Sequence, residues 1–341
     1  MARKTQRFIE ASDCELEHQW LIEEFLAYLK AEGKSDKTLI NYESDLKIFF
    51  TWYETNCTFK GKPKGFEKIK VQDIIKLQAE LLDKGMSINR FSRLKSVISS
   101  LSNYCENILA EDEDYSEYKN FRNIMNKVKK PTKETVRKKT VLNDEQCQSL
   151  LDTLVLDGKY QMACAFALAW ASGRRKSELL EIKIHHITDE NLKWGALYKT
   201  DKIKCKGKLQ CVFILKSKFK LYFDLWMEER ERLGVTSNID DIFIKKEDGE
   251  WRGAKVSQLN YYADYFSGML NEDFYWHALR HQFTTELLNQ GLPESVVQQI
   301  IGWSSSDMVN LYDDRDKDDL IGEYFKDGDI IKKENKNLSD L

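Results

Sequence analysis

Among its 341 residues the chain has only three prolines, Pro63, Pro131 and Pro293. Proline breaks helix interiors and sheet ladders, so its scarcity favours long, uninterrupted helices. Long apolar runs are lacking as well. No stretch approaches the roughly 18 residues that a membrane-spanning helix needs. The basic start, MARKTQRFIE, has no apolar segment behind it, as a secretory signal would. The seven cysteines (14, 57, 105, 147, 164, 205 and 211) are odd in number, irregularly spaced and form no CxxC. This argues against a disulfide framework and against a thiolate zinc site; reduced thiols in a cytoplasmic protein are expected, with no metal and no other cofactor. No internal repeat of solenoid period is evident. Net charge is small too: 53 basic against 56 acidic side chains, for a total of -3.

What is present is material for packed cores. Apolar residues make up 42% and charged residues 32%, the composition of a folded globular chain, and the length suits two domains. The near-neutral total hides separated blocks. Between Lys119 and Lys139 nine basic residues face Glu134 alone, and between Lys199 and Lys220 eight lysines face Asp201. After Tyr312 the sign reverses with Asp313, Asp314, Asp316, Asp318 and Asp319. Such segregation suggests one face turned to a polyanion; a merely solvated surface is the plainer reading of any one block.

The first 110 or so residues read as an amphipathic four-helix unit. Leu39, Tyr42, Leu46, Phe49 and Tyr53 recur at helical spacing behind a Ser35-Asp36 start signal. Ile88, Phe91, Leu94, Ile98, Leu101, Tyr104 and Ile108 do so behind Gly85 and Ser87. Stretches around 20–29 and 71–82 supply the other two helices. Arg90, Arg93 and Lys95 lie on or near the polar face of the fourth, where they either touch phosphates or keep the helix soluble. The run KKPTKETVRKKT reads as linker, giving an expected division into a helical domain 1–118, a basic linker 119–140, a second domain 141–325 and a tail 326–341. In the linker, Lys127, Lys129, Lys130, Lys133, Arg137, Lys138 and Lys139 could follow a phosphate backbone. The second domain opens at Asn143 as an N-cap. It continues with QMACAFALAWA, apolar nearly all round and therefore buried, and short strands over 192–215 with Cys211–Leu215 as a compact apolar run. It then reads as a helix over 277–290, stopped by Gly291. The expected fold is mainly α with a small antiparallel β-sheet in the C-terminal domain.

Three stretches carry chemistry: Ser172-Gly173-Arg174-Arg175-Lys176-Ser177-Glu178-Leu179, then His277-Ala278-Leu279-Arg280-His281, then Gly302-Trp303-Ser304-Ser305 with Tyr312 following. His277 and Arg280 share a helix face. A histidine exchanges protons near neutrality, and a guanidinium fork fits two phosphate oxygens, so the pair suits a phosphoryl centre. Tyr312 by itself is one of fifteen tyrosines, and Trp303 by itself could be core packing. His185-His186 looks metal-like, yet no carboxylate or cysteine cluster supports it, and a surface pair is the plainer reading.

Together these stretches resemble the tyrosine recombinase (phage integrase) family, which includes the lambda integrase, the Cre recombinase and the Xer recombinases. The first matches the family box T-G-x-R-x-S-E-L. The second matches H-x-L-R-H-x-x-x-T, with Thr285 as its last residue. The third matches G-(H/W)-x-S followed by the nucleophilic tyrosine. Ser35, Thr38 and Tyr42 resemble a stretch of the family's N-terminal domain, so the likeness spans about residues 15–325. The resemblance implies a two-domain, C-shaped clamp on double-stranded DNA and cleavage by Tyr312 through a 3′-phosphotyrosine. Arg175 and Arg280 would hold the phosphate and His277 would move the proton. Trp303 would donate where most members carry histidine, and Glu178 would orient its neighbours. Neighbouring Arg174 leaves the register of the first arginine open, with the flanking Ser-Gly and Ser-Glu favouring Arg175. A hairpin lysine would act as general acid: Lys206, with Lys202 and Lys204 as alternatives. Recombination would engage a homotetramer on two sites, built from monomers or dimers in solution, with accessory DNA-bending proteins as further partners. The rival reading is a DNA-binding regulator that keeps this fold without recombining DNA; a type IB topoisomerase shares the chemistry but not the N-terminal pattern.

Overall fold

A computed structural model describes residues 14–129, 142–205, 207–236, 238–303 and 305, together with the short strand pair 325–326 and 329–330. Contacts divide the chain into two compact units, Met1–Arg137 and Lys138–Leu341.

The first unit is built on α1 (Leu16–Ala31), α2 (Asp36–Asn56), α3 (Val71–Asp83) and α4 (Ile88–Asn107), with a two-residue hairpin β1–β2 (Thr58–Phe59, Lys62–Pro63) between α2 and α3. The start signals behave as expected: Ser35 and Ser87 accept hydrogen bonds from the amides of Thr38 and Arg90. Leu46, Phe49, Phe50 and Tyr53 of α2 meet Phe91, Leu94, Ile98 and Leu101 of α4 in one core, all nearly without exposure. The structure departs from the expected linker. Phe121, Met125 and Val128 are buried in this same core, Phe121 packs 5.5 Å from the Phe66 ring, and Lys95 Nζ donates to the Val128 carbonyl. Residues 119–129 are therefore part of the helical unit. Three apolar side chains spaced among lysines give no period for a sequence reading to detect. Residues 130–141 lie outside the described residues.

The second unit begins with α5 (Asp144–Leu156), capped by Asn143, whose side chain accepts from the Gln146 amide at 2.7 Å while Gln146 returns a bond at 3.0 Å. Its central helix α6 (Tyr160–Ser172) is buried from Ala163 to Ser172, as its all-round apolarity demands. A short helix α7 (Lys176–Leu179) follows the left-handed turn at Gly173. Then come β3 (Leu192–Lys193), β4 (Leu197–Lys199), β5 (Ile203–Cys205), β6 (Lys208–Gln210) and β7 (Phe213–Leu215). Strands β3, β4 and β7 form an antiparallel sheet in the order β3-β4-β7, with Tyr198 opposite Ile214. The β5–β6 hairpin projects between β4 and β7, with Cys205 opposite Lys208 and Ile203 opposite Gln210. Beyond lie α8 (Lys216–Arg232), a hairpin β8–β9 (Ile244–Glu247, Glu250–Gly253), α9 (Val256–Leu270), α10 (Trp276–Asn289) and α11 (Glu294–Ile301). The sequence reading missed β8–β9, whose lysines and acids mask its alternation. Across the expected boundary between second domain and tail, β10 (Phe325–Lys326) pairs antiparallel with β11 (Asp329–Ile330).

Candidate active site

The site assembles where α6, α7, α10 and α11 end or begin. Gly173 closes α6 at φ +58°, and a Cβ there would stand 2.8 Å from Phe283 and 3.1 Å from Ile301. Only glycine suits both the conformation and the space. The chain then turns into α7, which starts with Arg175 as its N-cap. Glu178, one turn on, has 1% of its side chain exposed and accepts from Arg175 twice, from the guanidinium at 2.8 Å and from the backbone amide at 3.2 Å. A buried carboxylate bound in this way fixes the direction of Arg175, whose side chain keeps 31% of its surface exposed.

Arg280 lies on α10 and has no exposed surface. Its Nη1 donates to the Gly173 carbonyl at 2.9 Å and its Nη2 to the Ile301 carbonyl at 3.2 Å, so it ties the first motif to the third. Its guanidinium carbon sits 5.2 Å from the centre of the Trp303 ring, a cation–π arrangement. Trp303 is 8% exposed and packs with Phe283, Leu288, Val297 and Ile301. Packing and proximity to Arg280 thus coexist in one residue.

His277 occupies the first turn of α10 and is largely exposed. The protein around its ring nevertheless disfavours the cation and holds its pKa below the ordinary histidine value. The charges of Arg280 and Arg175 add to this, and Glu178 opposes it. These influences place His277, Arg175, Arg280 and Glu178 in one electrostatic neighbourhood. Arg174 is fully buried beside them: Nη2 donates to the Ile300 carbonyl at 2.7 Å, while Nε and Nη1 have no hydrogen-bond partner among the described residues. Burial pushes its pKa down. The two motif guanidiniums, Arg175 and Arg280, with one buried carboxylate, make a set suited to an anion.

The lysine hairpin comes close to this centre. Burial raises the pKa of the Cys205 thiol, while a hydrogen bond with Gln210 and the charges of Arg174 and Arg175 act to lower it. Lys206, the next residue, and Tyr312 lie outside the described residues, as do Lys130, Lys133, Arg137, Lys138 and Lys139. Lys202 is exposed just before the hairpin, and Lys204 is exposed on its first strand, β5. Lys127 and Lys129 are exposed on the first unit. Arg90 and Arg93 have a structural role: both pair with Asp45, a carboxylate only 1% exposed, at 2.5 Å and 3.0 Å. Two cations on one buried anion leave a net positive spot on α4. Sequence reasoning could not foresee this, because Asp45 lies on a different helix.

His185, His186 and Asp201 bring ligand-type atoms within 4.8 Å of one another. The His185 Nδ1 engages Asp240, and His186 Nδ1 accepts the Lys183 amide at 2.9 Å. That bond leaves the His186 proton on Nε2, the atom a cation would need, so the trio is set as a hydrogen-bonded turn.

Comparison with known proteins agrees with this geometry. The Phage integrase family matches residues 140–318, and the family's N-terminal SAM-like domain matches residues 22–105. The SPbeta prophage-derived recombinase-like protein YomM of Bacillus subtilis (strain 168) is 29% identical over 277 residues, covering 80% of this chain and 79% of its own. The tyrosine recombinase XerD of Staphylococcus haemolyticus (strain JCSC1435) is 26% identical over 304 residues, covering 86% and 92%. Among solved structures, the XerH site-specific recombinase bound to palindromic difH substrate superposes with a TM-score of 0.64 at 17% identity, covering 92% of this chain and 90% of that one. A lambda integrase dimer bound to a COC′ core site gives 0.62 at 17% identity, covering 87% and 95%.

Proposed function

We infer what this protein does from the fact that it belongs to the phage integrase family. It is a tyrosine site-specific recombinase, an enzyme that cuts and rejoins DNA. The residues that do this, and their assembly on DNA, are our proposal. The observation that carries it is that Arg280, on the same helix as His277, bonds the Gly173 carbonyl two residues before Arg175, which the buried Glu178 holds.

In this reading Tyr312 attacks a backbone phosphate of duplex DNA. It forms a 3′-phosphotyrosine and releases a 5′-hydroxyl, so the bond energy is kept for rejoining. A free tyrosine has a pKa of about 10, so its proton must leave as it attacks. His277, whose surroundings favour the neutral ring, takes that proton. Arg175 presents an exposed fork, already oriented by Glu178, to the non-bridging oxygens. Arg280 has no exposed surface, so its contact with phosphate follows a shift of the segment from Ile301 to Trp303. The Trp303 indole N–H donates to the phosphate and cannot act as a base. Lys206 protonates the leaving oxygen. Arg90, Arg93, Lys127, Lys129 and the basic segment beyond bind phosphates along the duplex. Four protomers join two DNA sites, and a protein with this task works in the cytoplasm.

The test uses the full chain and a duplex site recovered by binding selection from a random-sequence library. The site is nicked next to the cleavage position and products are run on a denaturing gel. A covalent adduct that Tyr312→Phe abolishes is expected. Tight, selective binding with no adduct from the wild-type chain would overturn the reading.

A further inference from the structure

Resting on the recombinase reading, we propose that Arg174 is a positioning residue which, by holding the end of α11 and facing Gln210 across Gly302, joins the lysine hairpin to the segment that leads to the nucleophile.

The argument starts from cost. A guanidinium without exposed surface loses its hydration and regains it only through bonds. Arg174 makes one, from Nη2 to the Ile300 carbonyl at 2.7 Å. Its Nε and Nη1 have no hydrogen-bond partner, and no carboxylate pairs with it among the ion pairs of the described residues. A leucine would fill such a place at far lower cost, so fold stability alone does not account for an arginine here.

The second observation is what meets at Gly302. This residue ends α11 at φ +75°, and its amide bonds back to the Gln298 carbonyl at 2.8 Å. A Cβ built on it would lie 2.9 Å from Arg174 Nη1, and 2.6 and 2.8 Å from the side-chain amide atoms of Gln210. Arg174 belongs to the first motif, Gln210 to strand β6 of the lysine hairpin, and Gly302 to the third motif. The first motif, the lysine hairpin and the third motif thus come together at Gly302. Arg280 reinforces the junction from the other side through the Ile301 carbonyl at 3.2 Å. Two cations on the last carbonyls of one helix also match the negative end of its dipole. Cys205 belongs to the same hairpin as Gln210 and precedes Lys206 directly. Movement of the hairpin and movement of the Trp303 segment are therefore mechanically linked through Arg174.

Two measurements on the full chain separate this inference from the reading beneath it. The first is amide hydrogen exchange without DNA. Arg174→Leu should speed exchange about tenfold in both segments 203–210 and 298–303, and Gln210→Ala should do the same to a smaller degree, because local opening reports local contacts. The second is single-turnover adduct formation on the nicked duplex. Arg174→Leu should lower the rate about tenfold or more while DNA affinity stays within about twofold. Its effect and that of Gln210→Ala should be coupled, the double variant missing the product of the single effects by about fivefold. Unchanged exchange in either segment would refute the junction, as would independent effects of the two variants on cleavage. A wild-type chain that forms no adduct would refute the recombinase reading, and exchange would still decide the junction. Should Arg174→Leu not fold, the partly exposed Gln210→Ala carries the exchange test by itself.

Discussion

At the scale of single residues, the site is governed by what each charge is bonded to. Glu178 is buried and spends both oxygens on Arg175. Glu178→Gln keeps the shape and removes the charge. We expect it to slow adduct formation by about 10- to 100-fold and to lower stability by about 1–3 kcal/mol, which single-turnover assays and urea titration will measure. His277 tests the electrostatics. Its pKa lies below the usual histidine value, with the protein packed about the ring as the leading cause and Arg280 and Arg175 next. In the unfolded chain it takes up a proton near pH 6.5, and in the folded chain only at lower pH. Stability contributed by the neutral ring is therefore complete above about pH 6.5 and declines as pH falls toward the folded value. An NMR titration should give a midpoint below 6.5 for this residue, and His277→Gln should flatten that part of the stability profile. A midpoint at or above 6.5 contradicts the placement.

At the scale of elements, helix ends decide most of the local structure. Asn143→Ala removes the reciprocal cap of α5 and should cost about 1 kcal/mol in thermal unfolding. Gly302→Ala must place a methyl at positive φ, within 3 Å of Arg174 and Gln210. We expect a loss of at least about 1 kcal/mol and a shift of the Trp303 segment. Such caps and breaks were legible in the sequence, as were the buried α6 and the helical faces of α2 and α4, because each leaves a local pattern. The family was legible too, since the spacing of the motifs belongs to it. What remained hidden depends on contacts between distant segments. Nothing near Asp45 announces that Arg90 and Arg93 will close on it. Nothing near Arg174 announces that it will lie fully buried against Ile300 while Arg175, its neighbour, stays half in solvent. The β8–β9 hairpin escaped because its exposed charges hide a strand signal carried by only a few apolar residues.

At the scale of the whole molecule, a slightly negative chain that acts on DNA gathers its positive charge into blocks. Affinity for a random-sequence duplex should fall steeply with salt. Neutralising Lys127 and Lys129 together should reduce the slope of log affinity against log salt by about 1.8, if each contacts one phosphate. Fluorescence anisotropy across a salt series will read this directly, and an unchanged slope removes both lysines from the interface. The α4 arginines should contribute less per side chain, since Asp45 already balances one of them.

The burial of Phe121, Met125 and Val128 sets where the helical unit can be cut out of the chain. An excised fragment stopping at residue 118 would bare the Phe66 ring to water and leave Lys95 without the carbonyl it reaches for. One continued to residue 129 would carry its own lid. Whoever isolates this half to map its grip on DNA will find the difference between a soluble, cooperative domain and a sticky remnant in those eleven residues.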